Sequence, residues 1–509
     1  MFKTCRIRKC HFTSLILILL GTYSANGEEG LVKALLIGNW ADPTIEKVGS
    51  SYYMSANNVS YVPSKLVWRS SDLRKWYPVC YASPNKPQGL ATDLDFHQGR
   101  LYMYGGGGTN PWVQYSDPPF ETWSDQIHLD LIEPQGIDGG HLVDDDGIRY
   151  LYTSRGMVTK LTPDGLKAQE APMTVYEPWP MPDNLDIDIS CVCLESPKPF
   201  KHLGWYYMVS AQGGTAGPAT SHMATVARSH HVMGPWEYAP NSPLIWTRDR
   251  FESWWSKGHA TLFEGPGGHW YAIYHGYPNG ERTVGRCILI SPIRWRDDDW
   301  PEIASEWPEG WDEPIEFHLS MSDDFDGPEL GMQWQAIKTF DRGRYTFDNG
   351  ELVVSALGAT PGNSHPIVVN PRHLSYEIET EVVIEGDTHA GLILSYSPTV
   401  YVSVGLSSAG KIERFRQRSE IGPEPENKRI LPHPAYRETR VKLKIRNNHQ
   451  SSSYYYSGED GVWKKLKRAD DVSGFQINVY GGFLSLRPGI YTAGTGKARF
   501  LYFRYRGLE

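Results

Sequence analysis

The chain has 509 residues, with 50 Lys and Arg against 59 Asp and Glu, a net charge of -9 and a pI near 6.0. Charges of both signs are interspersed, which excludes the clustered basic face of a nucleic-acid-binding protein, and the length suits two or three domains with real cores. Aromatic residues make up 13%, among 50 Gly and 36 Pro, the texture of an all-β protein whose aromatic strands are cut by Gly/Pro turns.

Residues 1–27 read as an export signal. Lys3, Arg6, Arg8 and Lys9 form a basic start, residues 14–20 a short apolar run, and Ser24-Ala25-Asn26-Gly27 a small-residue cleavage site. The expected location is secreted or periplasmic. The apolar run is too short to span a bilayer, and no later stretch qualifies. Outside the leader stand Cys80, Cys191, Cys193 and Cys287. Export permits a disulfide or two among them, with no pairing assignable from spacing, and no second Cys or His pair accompanies Cys191 and Cys193 to make a zinc site.

From Asp42 onward a unit recurs about every fifty to sixty residues: an acid or polar residue, a short apolar strand, a turn, then an aromatic strand. The copies open at Asp42, Asp93, Asp138, Glu195 and His259, and their aromatic strands lie near 51–54, 100–104, 149–152, 204–208 and 269–274. Five such units predict a five-bladed β-propeller over 31–314, in which repetition about an axis hides strand edges. An acidic Trp/Pro-rich strap over 301–314 leads to period-2 alternation at 351–354, 374–384, 391–396, 441–445 and 499–505. That pattern predicts a β-sandwich of the jelly-roll or lectin-like kind over 315–509. Asp323-Asp324-Phe325-Asp326-Gly327 lacks the spaced Glu of a calcium loop and reads as a turn.

Asp42, Asp138, Glu195 and His259 occupy equivalent positions in their units. On innermost strands they converge at one mouth of the central channel. Carboxyls gathered there raise one another's pKa, and hydrolysis of a glycosidic bond needs one protonated and one ionised carboxyl. Two acids on opposite sides of a channel leave room for a water, which favours inversion at the anomeric carbon.

Several runs also resemble glycoside hydrolase family 43: Asn39-Trp40-Ala41-Asp42-Pro43 with Gly49-Ser50-Ser51-Tyr52-Tyr53, Asp138 with Asp144-Asp145-Asp146-Gly147, and Glu195-Ser196-Pro197. So do Ala211-Gln212-Gly213-Gly214-Thr215 with His222, Gly258-His259, and Gly285-Arg286 before Pro292-Ile293-Arg294-Trp295. The tail from Asp323 to Tyr505 is similar to the β-sandwich of the family's xylosidase-like members. The resemblance implies Asp42 as general base, Glu195 as general acid, and Asp138 as the residue that tunes and orients the acid. It makes His259 the channel histidine, associated with a hydrated calcium ion, and Arg286 a substrate-binding arginine. Trp40 as a stacking platform, with His222 and Asp93 as polar contacts, complete the expected substrate-binding set. Two departures bear on the sugar. Leu90-Ala91-Thr92-Asp93 stands where many members have Trp-Ala-Pro-His, and Asn57-Asn58-Val59 where a Phe is usual. The expected protein is an inverting, exo-acting hydrolase releasing arabinofuranose, xylose or a galactose-type sugar from plant or algal saccharides. The alternatives are a non-catalytic carbohydrate-binding propeller, or a different propeller glycosidase or lyase.

Overall fold

The computed structural model describes residues 29–88, 90–106, 111–130, 136–418, 436 and 438–508; the export signal expected over 1–27 lies outside them. The five repeats are five blades. Their inner strands are Ala41–Val48, Thr92–His97, Gly140–Val143, Glu195–His202 and Trp254–Glu264, and each sheet continues outward by antiparallel pairing. The aromatic strand comes second in every blade: Ser51–Asn57, Arg100–Gly105, Arg149–Thr153, Trp205–Gln212 and Trp270–Pro278. Neighbouring blades cover both of its faces, so these strands read as near-continuous hydrophobic runs rather than as alternation.

The ring closes with a strand that the repeats do not reveal. Lys33–Leu36 pairs antiparallel with Cys287–Trp295 and forms the outermost strand of blade V, stitching it from two distant parts of the chain. The strap then crosses the seam between blades V and I. Trp307 and Trp311 pack with ring centres 4.6 Å apart and planes tilted by 38°, and Trp311 Nε1 donates to the Tyr271 hydroxyl of blade V at 2.9 Å. Glu316–Phe317 pairs in parallel with Lys75 and Trp76 of blade I, and Phe317 stacks on the fully buried Trp76. Burying a ring of that size contributes about 2–3 kcal/mol. The chain therefore stays with the propeller through Phe317, past the boundary at 314 that composition marks.

The remaining residues form two facing antiparallel sheets. One contains Tyr345–Asp348, Glu351–Ser355, Lys497–Gly507, Tyr376–Glu385, Arg440–Asn448 and Ser451–Ser457 in that order; the other contains Ile367–Val368, Arg487–Gly494, Thr388–Ser397, Val400–Ser407 and Lys411–Arg418. Burial alternates along Tyr376–Glu385 and Arg440–Asn448, and Ile378, Val382, Leu392, Leu443 and Phe500 meet between the sheets.

The sandwich is fixed to blade I. Ala336–Ile337 pairs with Tyr61–Val62, and the fully buried Arg487 guanidinium lies 3.5 Å from the Tyr61 ring centre. Arg487 also donates to Gln335, whose amide donates to the Pro63 carbonyl at 2.7 Å. The short helix Ile477–Tyr480 and the loop after it bring Phe483 to the rim of the propeller channel, where Asn39 Nδ2 donates to its carbonyl at 3.1 Å. Cys191 and Cys193 form a disulfide in the loop before Glu195, while Cys80 and Cys287 are unpaired.

Candidate active site

Three inner strands carry the same irregularity where they enter the channel. Ala41 pairs with Asn57 but Thr44 with Ser55; Glu195 pairs with Ala211 but Lys198 with Val209; Gly258 pairs with His275 but Thr261 with Ile273. Each is a β-bulge, one extra residue against the partner strand, which bends the strand and re-aims a side chain. The left-handed residues Asp42, Ser196 and His259 sit in these bulges, at φ of 54°, 53° and 57°, and Asp138 takes φ of 60° just before its strand. Non-glycine residues held there cost on the order of 1–3 kcal/mol each, and they persist where surrounding contacts over-determine them.

Asp42 is the most heavily held. Its Oδ1 receives Arg286 Nη1 at 2.9 Å and faces Nδ1 of His275 at 3.1 Å and of His259 at 3.4 Å. Asn57 Nδ2 donates to Oδ2 at 3.1 Å. Burial works to raise this carboxyl, but the Arg286 guanidinium and the two imidazoles outweigh it, and the pKa lies well below the usual carboxylate range. Asp42 is ionised at neutral pH.

Glu195 and Asp138 go the other way. Burial, followed by the charges of Asp138 and Asp42, pushes Glu195 well above the ordinary glutamate value, with only Arg286 opposing. Burial and the Asp42 charge raise Asp138 to about 7, against Lys198, the Ala91 N–H and Lys65; the Ala91 N–H reaches Asp138 Oδ1 at 3.1 Å. One mouth thus presents an ionised carboxylate and a protonated carboxyl, with a third carboxyl titrating beside them. Such a pair can take a proton from water and give one to a leaving oxygen.

Three imidazoles line the floor. His222 stacks on His275 with ring centres 5.1 Å apart and planes 6° apart, and its Nδ1 lies 2.6 Å from the Gly213 carbonyl. Burial and then the His275 charge push His222 down to about 3, and burial pushes His259 down, so both are neutral. Their Nε2 atoms are buried and have no hydrogen-bond partner among the described residues. Glu195, His222 and His259 offer ligand atoms within 4.8 Å of one another, as do Asp42, His259 and His275. A hydrated cation resting on the His259 nitrogen fits that orphaned atom. Calcium caged by protein oxygens does not fit, because it takes roughly six to eight of them and these groups supply mainly imidazole.

Of the expected residues, Asp42, Asp138, Glu195, His222, His259 and Arg286 converge. Trp40 does not offer a stacking face: it is 3% exposed, in the core with its ring edge-on to Trp68 at 6.1 Å. Asp93 lies beside Thr44, farther along the channel than Asp42, with Lys198 Nζ on Oδ1 at 2.9 Å and the His141 N–H on Oδ2 at 2.9 Å. Its oxygens are taken up by the protein. Sequence reasoning missed Asn57 and His275, which hold Asp42, and Asn39. The Asn39 amide links the Arg286 N–H, the Phe483 carbonyl and, through its backbone, Asn370 of the sandwich. Phe483 itself stacks 4.9 Å from the Arg286 guanidinium, so the sandwich contributes to the wall.

A propeller whose channel mouth pairs an ionised with a protonated carboxyl has the architecture and chemistry of a glycoside hydrolase. Residues 33–301 match glycosyl hydrolases family 43, and residues 322–506 match the beta xylosidase C-terminal concanavalin A-like domain. The chain belongs to glycosyl hydrolase family 43 and is a glycosidase. It is similar to the xylosidase/arabinosidase 43B of Humicola insolens, at 24% identity over 93% of this chain and 97% of that one. It is also similar to a beta-xylosidase of Bacillus subtilis, at 23% identity over 94% and 99%, and to a non-reducing end alpha-L-arabinofuranosidase of Bacteroides ovatus, at 26% over 64% and 65%. Among solved structures, a GH43 protein of Bacillus licheniformis superposes with a TM-score of 0.82 at 24% identity, over 93% of this chain and 99% of that one. A xylan beta-1,4-xylosidase of Bacillus halodurans superposes with 0.79 at 22% identity, over the same shares.

Proposed function

We propose that the protein is an inverting, exo-acting glycosidase that releases a terminal pentose or galactose-type sugar from plant or algal saccharides. The observation that carries this reading is the split in protonation between Asp42 and Glu195 at one channel mouth. Asp42 takes a proton from a water as its oxygen attacks the anomeric carbon. The bond to the leaving oxygen breaks, and that oxygen takes the proton of Glu195. Water is added across the bond, and the two carboxyls exchange protons with solvent to reset. Asp138 keeps Glu195 protonated and oriented, while Arg286 and Asn57 hold Asp42 for in-line attack. The His259 ring faces Asp42 at 3.4 Å and shares a cluster of ligand atoms within 4.8 Å with Glu195 and His222, so the two carboxyls flank one imidazole; inversion takes them to be far enough apart for an intervening water. A bare binding propeller has no use for this costly split.

The pentose preference and the exo mode rest on the activities of the relatives, xylosidases and a non-reducing end arabinofuranosidase. Secretion rests on the composition of the leader and on the Cys191–Cys193 disulfide, a bond that persists in oxidising compartments.

Screening aryl arabinofuranosides, xylosides and galactosides identifies the sugar. Proton NMR of the first-released sugar then tests the stereochemistry: the anomer opposite to that of the substrate is expected, and the same anomer overturns inversion. A hydrated calcium ion on His259 would supply positive charge and ordered water beneath the carboxyls. Dialysis against a chelator should then lower activity, with recovery on adding calcium; unchanged turnover removes the ion from this account.

A further inference from the structure

Lys65 is a fully buried lysine that none of the roles above uses. It follows Pro63-Ser64 at the start of the third strand of blade I, has a left-handed backbone with φ of 59°, and is 0% exposed. Removing an ammonium group from water costs several kcal/mol unless it is paired and hydrogen-bonded, so its surroundings are informative. The charges around it are Asp42 and Asp138, which attract it, and Lys198 and Arg286, which repel it. Its Nζ donates to the Leu90 carbonyl at 2.6 Å. The nitrogen of that same peptide unit belongs to Ala91, and its N–H donates to Asp138 Oδ1 at 3.1 Å. Burial pushes Lys65 down to about 7, and in either protonation state its N–H on the carbonyl oxygen polarises the amide and strengthens the Ala91 N–H as a donor, because hydrogen bonds in series reinforce one another.

We propose that Lys65 is a positioning residue for the hydrolytic reaction, which fixes Asp138 through the Leu90–Ala91 peptide and thereby orients the proton donor Glu195. The proposal rests on the roles given above to Asp138 and Glu195. It assigns a task to Leu90, where a Trp is usual. At this position the backbone, rather than the side chain, serves the site. Lys65 touches no substrate. Its loss weakens proton delivery to the leaving group and leaves water activation by Asp42 in place.

That distinction gives a readout which a scaffold role would not move. On whichever sugar the enzyme cleaves, K65M and K65R are compared with wild type on a disaccharide, which needs a proton at its leaving oxygen, and on the 2,4-dinitrophenyl glycoside, which does not. K65M is expected to lower kcat on the disaccharide by about tenfold or more. On the dinitrophenyl glycoside the loss should stay under about threefold, with KM little changed on both, and K65R should recover most of the disaccharide rate. Equal losses on the two substrates, no loss on either, or a K65R variant no better than K65M would overturn the proposal. Should K65M fail to fold, K65Q carries the same comparison. If wild type turns over and E195Q shows the leaving-group split while the Lys65 variants do not, only this inference falls; a wild type inactive on every glycoside removes the functional reading as well.

Discussion

D42N will lower kcat by about 10³-fold or more on every glycoside the wild type cleaves, whatever its leaving group. Asparagine keeps the shape of the side chain and can still accept from Arg286, but it has no lone-pair basicity with which to take a proton from water. Every substrate needs the attacking water, so the loss should be the same for a dinitrophenyl glycoside and for a disaccharide. A second penalty falls on stability. Arg286 is 5% exposed and loses its anionic partner at 2.9 Å, and a buried charge stripped of its partner is destabilising by about 3–5 kcal/mol. Circular dichroism and thermal melting at the assay temperature separate the two effects. A folded D42N that retains a tenth of wild-type turnover would exclude Asp42 as the base.

Why Asp42 reaches the channel at all bears on what a sequence can disclose. The five-fold repeat and the shift to period-2 alternation are patterns in the chain, so blades and sandwich are legible in it, as is the recurrence of acids at blade starts. The bulges are not. Asp42 turns into the channel because it and Pro43 stand against the single residue Ala56, between the pairs Ala41–Asn57 and Thr44–Ser55, while Trp40, before the bulge, faces Trp68 in the core. Blade II shows the contrary case. Asp93 stands in step with Asp42 in the repeat, yet its strand pairs without interruption from Thr92 with Gly105 to His97 with Arg100. Without a bulge it stays on the regular pleat and turns onto Lys198. Partners such as His275, paired opposite Gly258, depend on hairpin register, and Phe483 arrives from the sandwich, 444 residues along the chain from Asn39. No local pattern encodes either.

E195Q tests the other half of the chemistry, and its effect should depend strongly on the leaving group. Glutamine has no proton to deliver, so a disaccharide, whose departing alkoxide is a strong base, should lose about 10²–10⁴-fold in kcat. A dinitrophenyl glycoside departs without protonation and should lose far less. The pH profile sharpens this. Turnover of the disaccharide requires Asp42 ionised and Glu195 protonated. The acid limb follows Asp42, held well below its usual value, and the alkaline limb follows Glu195, raised well above its own. Ionisation of Asp138, near 7, adds negative charge beside Glu195 and holds its proton to still higher pH, so the alkaline limb belongs to the carboxyl cluster rather than to one residue. On the disaccharide, the residual activity of E195Q should keep the acid limb and show no alkaline limb, because the group whose ionisation ends catalysis has gone. An alkaline limb that persists unchanged in E195Q would move the proton donor to another residue, and Asp138 is the carboxyl placed to be it.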